Sequence, residues 1–459
     1  MNSPNRRWLY LPVEIRVREF DARLLVGCCA VERGYNVIIG MKNNVTSVYP
    51  YMPRGIIFDR SLSLFRENDF KNLVSMGFRI CATDEETLTF YITPESTLKQ
   101  RVSAKNLELA DCYFAWGQHQ ADLIDQAYPG FKNKVKAIGS CRSDLNRPEF
   151  LESLYHDDVH KLKGRFGRFI FLPANFSEIE NKIGGRQFLI EQFIDQGAIS
   201  TQEDINFFND FLDHKEKNLK AYKKTIPLIQ KAFPEHTLII RPHPGEAHQH
   251  WIDFAKLNPR LVVLHEGPVT PWLIAADVVF HHGCSTGLEA YMLGTPSIPF
   301  HPYLDLVHDV HLSTRIGPIA ETVEDFLNLI RRAVSGEELP RDNIDWLYDY
   351  IVAPKDGLVS DQIIDAFDEV VIPPDRMSVF ARFPHLILFK YSLMKNRFRN
   401  KIKRLLGLKV EPSRQTKRWG YMDENDVLDI ISKLTRATGR FAGTKVKKLD
   451  GQVFCLYRD

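Results

Sequence analysis

Short apolar runs alternate along the chain with longer stretches whose apolar residues recur every three or four positions, so strands and helices are expected in turn. Residues 8–15 (WLYLPVEI) read as a first strand, followed by a charged turn at Arg16, Arg18, Glu19 and Asp21. Residues 21–33 read as a helix with Leu24, Leu25, Cys28 and Cys29 inward. Gly34 closes it, and residues 35–40 (YNVIIG) make a second strand. Strand, helix and strand in so short a span describe a βαβ unit. Further strands are expected at 55–58, 78–82, 111–115 and 135–138, which makes residues 1–150 one doubly wound domain. A polar helix at 147–168 reads as the crossing to a second domain, 151–375. There, strands at 169–173, 238–240, 261–264, 278–280 and 297–300 alternate with helices at 204–233, 270–276, 322–334 and 358–370. Residues 175–202 show little period and read as containing a loop near a cleft. The pattern predicts an α/β fold of two Rossmann-like domains, with residues 376–459 left as a basic helical extension.

The densest run is 278–300, VVFHHGCSTGLEAYMLGTPSIPF, which reads as strand, tight loop, helix and strand. Gly283 and Gly287 allow the backbone to pass close to a ligand, and Ser285 or Thr286 is placed to cap the helix. A glycine loop feeding a helix start at the end of a parallel strand presents N–H groups and a positive dipole end to an anion, most often a phosphate. His281 and His282 stand on the same loop. The plain alternative is an ordinary strand–helix turn. Glu289, one turn inside the helix, suits the two hydroxyls of a ribose, or else faces solvent. Arg241-Pro242-His243-Pro244 follows another strand, so it is expected at the same sheet edge. His243 can donate to a phosphate oxygen, and Arg241 can neutralise one or support the loop.

Histidines 243, 248, 250, 281 and 282 raise the question of a metal, but their spacing fits no helix face and no ligand pattern, so none is expected. Acid–base groups are sought in the first domain. Asp84 and Glu85, with Glu86, close one strand, and their crowding should raise a carboxyl pKa towards neutrality. Glu14, at the end of the first strand, is the other candidate, with Arg16 and Arg18 beside it to pair with it or to hold an anion. A solvated acidic turn is the alternative for 84–86.

Charge changes the picture at one place. The net charge of +2 argues against a nucleic-acid binder, yet residues 390–418 hold 11 Lys/Arg and a single acid, Glu411. Within 386–405, Tyr391, Met394, Phe398, Ile402 and Leu405 share one helical face amid cations. That is the pattern of a helix lying on an anionic membrane surface, or of one packed on the body with a solvated rim. Seven scattered cysteines without a C-x-x-C pair suggest reduced thiols and a cytoplasmic protein, peripheral on the inner membrane face if the helix binds there. No signal peptide or spanning run is read in the sequence.

RPHP (241–244) and HHGCSTGLEAYMLGTPSIPF (281–300) resemble the donor half of GT-B-fold glycosyltransferases of bacterial surface polysaccharide synthesis. YLPVEIRVREFDARLL (10–25), CATDEE (81–86) and YFAWG (113–117) resemble the group called surface carbohydrate biosynthesis proteins. The resemblance implies two facing Rossmann-like domains and a sugar transfer, without metal or cofactor, from a nucleotide-sugar donor to a glycan or lipid-linked acceptor. It implies that His243, Ser285 and Thr286 bind the donor phosphate and Glu289 the ribose; beside them, Arg241 and the amides of the loop with His282, Gly283 and Gly287 are read as stabilising the nucleotide phosphate as it leaves. Capsule enzymes with CMP donors carry a comparable His-Pro and Ser/Thr loop, while related layouts use CDP, UDP or GDP. An epimerase of similar build, a polyol-phosphate transferase and a non-catalytic nucleotide-sugar-binding protein are the competing readings.

Overall fold

A computed structural model of the chain describes residues 7–85, 98, 101–195, 199–309, 311–340, 345–373 and 419–459. These fall into two compact units. The first gathers the described residues of 7–85, 101–154, 348–373 and 419–459, and the second those of 155–347 together with residue 98.

In the first unit, β1 (Trp8–Val13), β2 (Asn36–Met41), β3 (Ile56–Asp59), β4 (Arg79–Thr83), β5 (Cys112–Ala115) and β6 (Val135–Ala137) run parallel in the order β2-β1-β3-β4-β5-β6. The helix after β1 spans Arg16–Glu32, so the charged residues expected as a turn lie in its first two helical turns. Glu19 accepts from the Glu14 amide (2.9 Å) and from Arg18 (2.9 Å), which settles those charges at the helix start.

In the second unit, β7 (Phe169–Pro173), β8 (Thr237–Arg241), β9 (Leu261–Val263), β10 (Val278–His281) and β11 (Ser297–Pro299) are all parallel, ordered β11-β10-β7-β8-β9. Alternate residues of its strands enter two different cores. Ile170, Leu172, Leu238, Ile240, Val278 and Phe280 pack with Tyr222, Ile226 and Phe326. Phe169, Phe171, Ile239 and Val279 pack with Trp272 and Ala290. A sheet buried on both faces in this way is the reason its strands read as continuous apolar runs. Counted from β7, the strand order is 3-2-1-4-5, the doubly wound order whose direction reverses between β7 and β10. The α/β, Rossmann-like class predicted from the sequence therefore holds for each unit.

Residues 175–202 also hold a helix, Arg186–Asp195, whose period is hidden because Phe188 and Ile194 are exposed while Leu189 and Ile190 are buried. Two expectations need correction. The helix Val359–Glu369, assigned to the second domain, belongs to the first unit. The Asp144 carboxylate accepts from the Val359 and Ser360 amides (both 2.9 Å) at its start, and Phe367 packs against Phe58 and Phe114. Finally, residues 419–459 are not an appended tail. They form the helix Glu424–Thr438 and a hairpin of β12 (Lys445–Asp450) and β13 (Val453–Tyr457), and β13 adds to the edge of β2 as an antiparallel strand. Its apolar residues Val453, Phe454, Cys455 and Leu456 are buried, as is Trp419, which meets Phe20 edge-on. The face proposed for the membrane, 386–405, lies outside the described residues. Among those described, no helix is long and apolar enough to cross a membrane.

Because Phe454 is buried in the first sheet, Phe454→Ala is expected to lower stability by about 3–5 kcal/mol in urea unfolding. A dispensable tail would show no such loss.

Candidate functional site

The carboxyl edge of the second sheet is built by three loops, after β7, β8 and β10. The first two are tied through their backbones by one carboxylate. Glu246, fully buried, accepts from the amides of Phe176 (2.9 Å) and His243 (3.2 Å) through Oε1. Its Oε2 accepts from the Trp251 indole (2.7 Å) and lies 3.3 Å from His250 Nε2. Burial pushes this carboxyl up, but the hydrogen bonds from His250, Phe176, Trp251 and His243 outweigh it and hold the pKa below its ordinary value. An ionised group thus pins the loop after β8 to the loop after β7.

On that support His243 is exposed. Its Nδ1 accepts from the Gly245 amide (3.1 Å), so the neutral ring carries its proton on Nε2. Arg241 has a different duty from phosphate neutralisation. It is buried and donates to the carbonyls of Glu266 (2.5 Å) and Gly267 (2.6 Å), bracing the loop after β9. Burial brings its pKa down to about 10 against the pull of Glu266. Of the two roles read for Arg241, the structure builds the loop support.

After β10 the chain turns through Gly283, whose φ of 62° is the left-handed conformation that favours glycine. The helix then spans Ser285–Met292, with Cys284 rather than Ser285 or Thr286 at its N-cap; no hydroxyl or carboxylate caps it, and its Thr286 and Gly287 amides face the Cys284 thiol. Ser285 and Thr286 are its first two helical residues, half-buried, and Glu289 lies one turn on, also half-buried. The Cys284 thiol gives a weak hydrogen bond to the Pro173 carbonyl (3.8 Å). Burial pushes the thiol up to about 11, although the Gly287 and Thr286 amides pull it down. Gly287, expected to admit a ligand, instead admits a side chain: a Cβ there would stand 2.2 Å from the His281 ring. His281 is buried and its pKa is lowered by burial to about 3, so it is a neutral packing residue.

His282 also turns inward. It is buried, stacks on Phe176 (ring centroids 5.6 Å) and lies 4.7 Å from the His301 ring. His214 and Asp309 stand beside it, and the three offer ligand atoms within 4.8 Å of one another. Sequence spacing could not bring these residues forward, because each comes from a different loop or helix. Glu246 was missed for a similar reason: it reads as one more acid after a Pro-Gly turn.

The first unit places the three carboxylates proposed as catalytic at the carboxyl ends of β1 and β4. Glu14 is paired with Arg60 (2.6 Å) and Lys42 (3.3 Å) and is partly exposed. Burial acts to raise its pKa, and Arg60 and Lys42 bring it below the ordinary value. Asp84 is buried, 3.4 Å from Arg101. Glu85 is buried against Arg23 at 2.8 Å, each side chain 1 % exposed. The expected crowding of carboxylates is therefore not what Glu85 meets. Burial would raise its pKa, but Arg23, Arg142 and Arg18 bring it below the ordinary value. Glu86 lies outside the described residues. Arg16 donates to the Trp419 carbonyl (3.1 Å), and Arg18 pairs with Glu19.

Neither a protein-family description nor a curated protein sequence matches the chain. Solved structures similar to it include a Methanocaldococcus jannaschii UDP-GlcNAc 2-epimerase in complex with UDP-GlcNAc and UDP, at 10% identity and TM-score 0.45, covering 77% of this chain and 82% of that one. A Rickettsia bellii UDP-N-acetylglucosamine 2-epimerase is 12% identical at TM-score 0.43, with 79% and 96% covered. The wall teichoic acid polymerase TagF, soaked with CDPG, is 10% identical at TM-score 0.48, with 79% and 88% covered.

Glu85→Gln tests whether that carboxylate is structural. It leaves the buried Arg23 charge unpaired, so a loss of about 3–5 kcal/mol in urea unfolding is expected. The native pKa of Glu85 lies below the unfolded value of about 4.3, so its contribution is complete above that pH and fades as pH falls through the native value. The stability gap between parent and variant should accordingly close in acid. A gap that is absent at neutral pH would return Glu85 to the list of reactive groups.

Proposed function

We propose that the second unit binds a nucleotide-sugar donor at the carboxyl edge of its sheet and that the protein is a glycosyltransferase acting on a surface-polysaccharide or lipid-linked acceptor. The observation that carries this reading is the start of the helix Ser285–Met292, which no hydroxyl or carboxylate caps, at the point where strand order reverses, on the same sheet edge as the exposed imidazole of His243. Amides, helix dipole and an Nε2–H donor are the groups that stabilise a phosphate as it leaves with its nucleotide. Ser285 and Thr286 add hydroxyls, and Glu289 is one turn away for the ribose. In this reading the phosphate needs no divalent ion.

The acceptor hydroxyl would be activated by a carboxylate of the first unit. Of Glu14, Asp84 and Glu85, only Glu14 is substantially open to solvent. Held ionised by Arg60 and Lys42, Glu14 suits stabilisation of positive charge at the sugar, or nucleophilic attack, better than it suits proton abstraction at neutral pH. An epimerase would act on the nucleotide sugar with no acceptor, so product analysis with and without acceptor glycan separates the two activities.

Thermal shifts with CMP, CDP, UDP and GDP would find the base, because a ligand of the folded state raises its melting temperature. With the preferred nucleotide, His243→Ala is expected to weaken binding roughly tenfold or more, from the loss of a hydrogen bond to a charged group, at an unchanged melting temperature. Equal affinity in calorimetry would take His243 out of the site.

A further inference from the structure

We propose that His214, His282 and Asp309 bind one zinc-like dication beneath the loop that follows β10. His214 Nε2 stands 2.9 Å from Asp309 Oδ1, and His282 Nε2 stands 3.6 Å from the same oxygen. Ligands at 2.0–2.1 Å from a tetrahedral zinc are roughly 3.3 Å apart; the two distances to Asp309 bracket that value, and all three ligand atoms lie within 4.8 Å of one another. All three residues are buried, and neither ring nitrogen of His282 makes a hydrogen bond. A buried imidazole with both nitrogens unsatisfied is costly, and a metal on one of them removes part of that cost.

The surroundings hold the carboxylate in a ligand's orientation. Asp309 Oδ2 accepts from the Asp305 amide (3.0 Å) and lies 3.2 Å from His301 Nδ1, which leaves Oδ1 to face the two histidines. Phe176 fixes the plane of His282 by stacking. Lys215, buried on the same helix as His214, directs its ammonium to the Asn175 carbonyl (3.5 Å). Two imidazoles and one carboxylate select zinc or cobalt over magnesium or calcium, which take oxygen ligands. The ion would fasten three segments that meet nowhere in sequence: the helix Gln202–Ala232, the loop after β10 and the loop preceding the helix His311–Thr314. It stands apart from the nucleotide reading and holds whether or not nucleotides bind.

The test uses the full chain with any affinity tag removed, equilibrated with Zn²⁺ alone and freed of excess. About one zinc per chain is expected by mass spectrometry, with a melting temperature raised by about 2–4 °C or more, and Co²⁺ should give the absorption of a tetrahedral site. His282→Gln and Asp309→Asn should lose the metal, while His248→Gln, a change on the loop after β8, should keep it. If either variant fails to fold, the parent's own zinc content and cobalt spectrum decide. A parent that retains no zinc, shows no tetrahedral cobalt band and melts at the same temperature with and without zinc overturns the proposal. So does full zinc content in folded His282→Gln and Asp309→Asn.

Discussion

A single buried carboxylate governs the geometry at the carboxyl edge of the second unit's sheet. Glu246 is ionised where ionisation is least favourable, and it remains so because four donors converge on its two oxygens. Two of those donors are backbone amides of different loops. The position of His243 is therefore set by an interaction that the imidazole itself does not make. The chain has coupled the placement of an exposed polar group to a buried network that either forms as a whole or leaves a charge unpaired. Arg241 works in the same way on the neighbouring loop, through two carbonyls rather than through a ligand.

The second unit was the more legible in sequence. Its strands are buried on both faces, so each appears as an uninterrupted apolar run, and Gly283 marks the turn that its left-handed φ demands. Individual roles inside the motif were less readable. Gly287 and His281 look like ligand-facing residues in one dimension, and only their mutual approach shows that they pack on each other. His282 belongs to the glycine-rich run by sequence and to a buried histidine–aspartate cluster by structure, because its partners come from distant segments. Spacing rules detect ligands that share a helix or a turn. They have no access to a set assembled from three separate pieces of chain.

In the first unit the acids were found but their partners were not. Residues 84–86 read as crowded carboxylates, and Glu85 is instead buried against Arg23, a side chain on the helix after β1 that carries no motif of its own. Charge pairing across a fold leaves no local trace, so a sequence shows the acid and hides the arginine. The hairpin β12–β13 escaped for a related reason. Its strands follow a long cationic stretch and were read with it, although Val453–Tyr457 is itself a short apolar run.

That hairpin bears on the order in which the chain acquires its structure. The edge of β2 is completed by β13, so a strand made early in synthesis waits for a partner made more than four hundred residues later. The five strands described for the intervening unit lie within 169–299, so that unit can close as soon as it clears the ribosome. Until residue 457 emerges, the amino-terminal sheet keeps the unpaired backbone of β2 open to any other extended segment. The inserted unit is thus the natural first folder, and the half of the protein that begins the chain is the last to be finished.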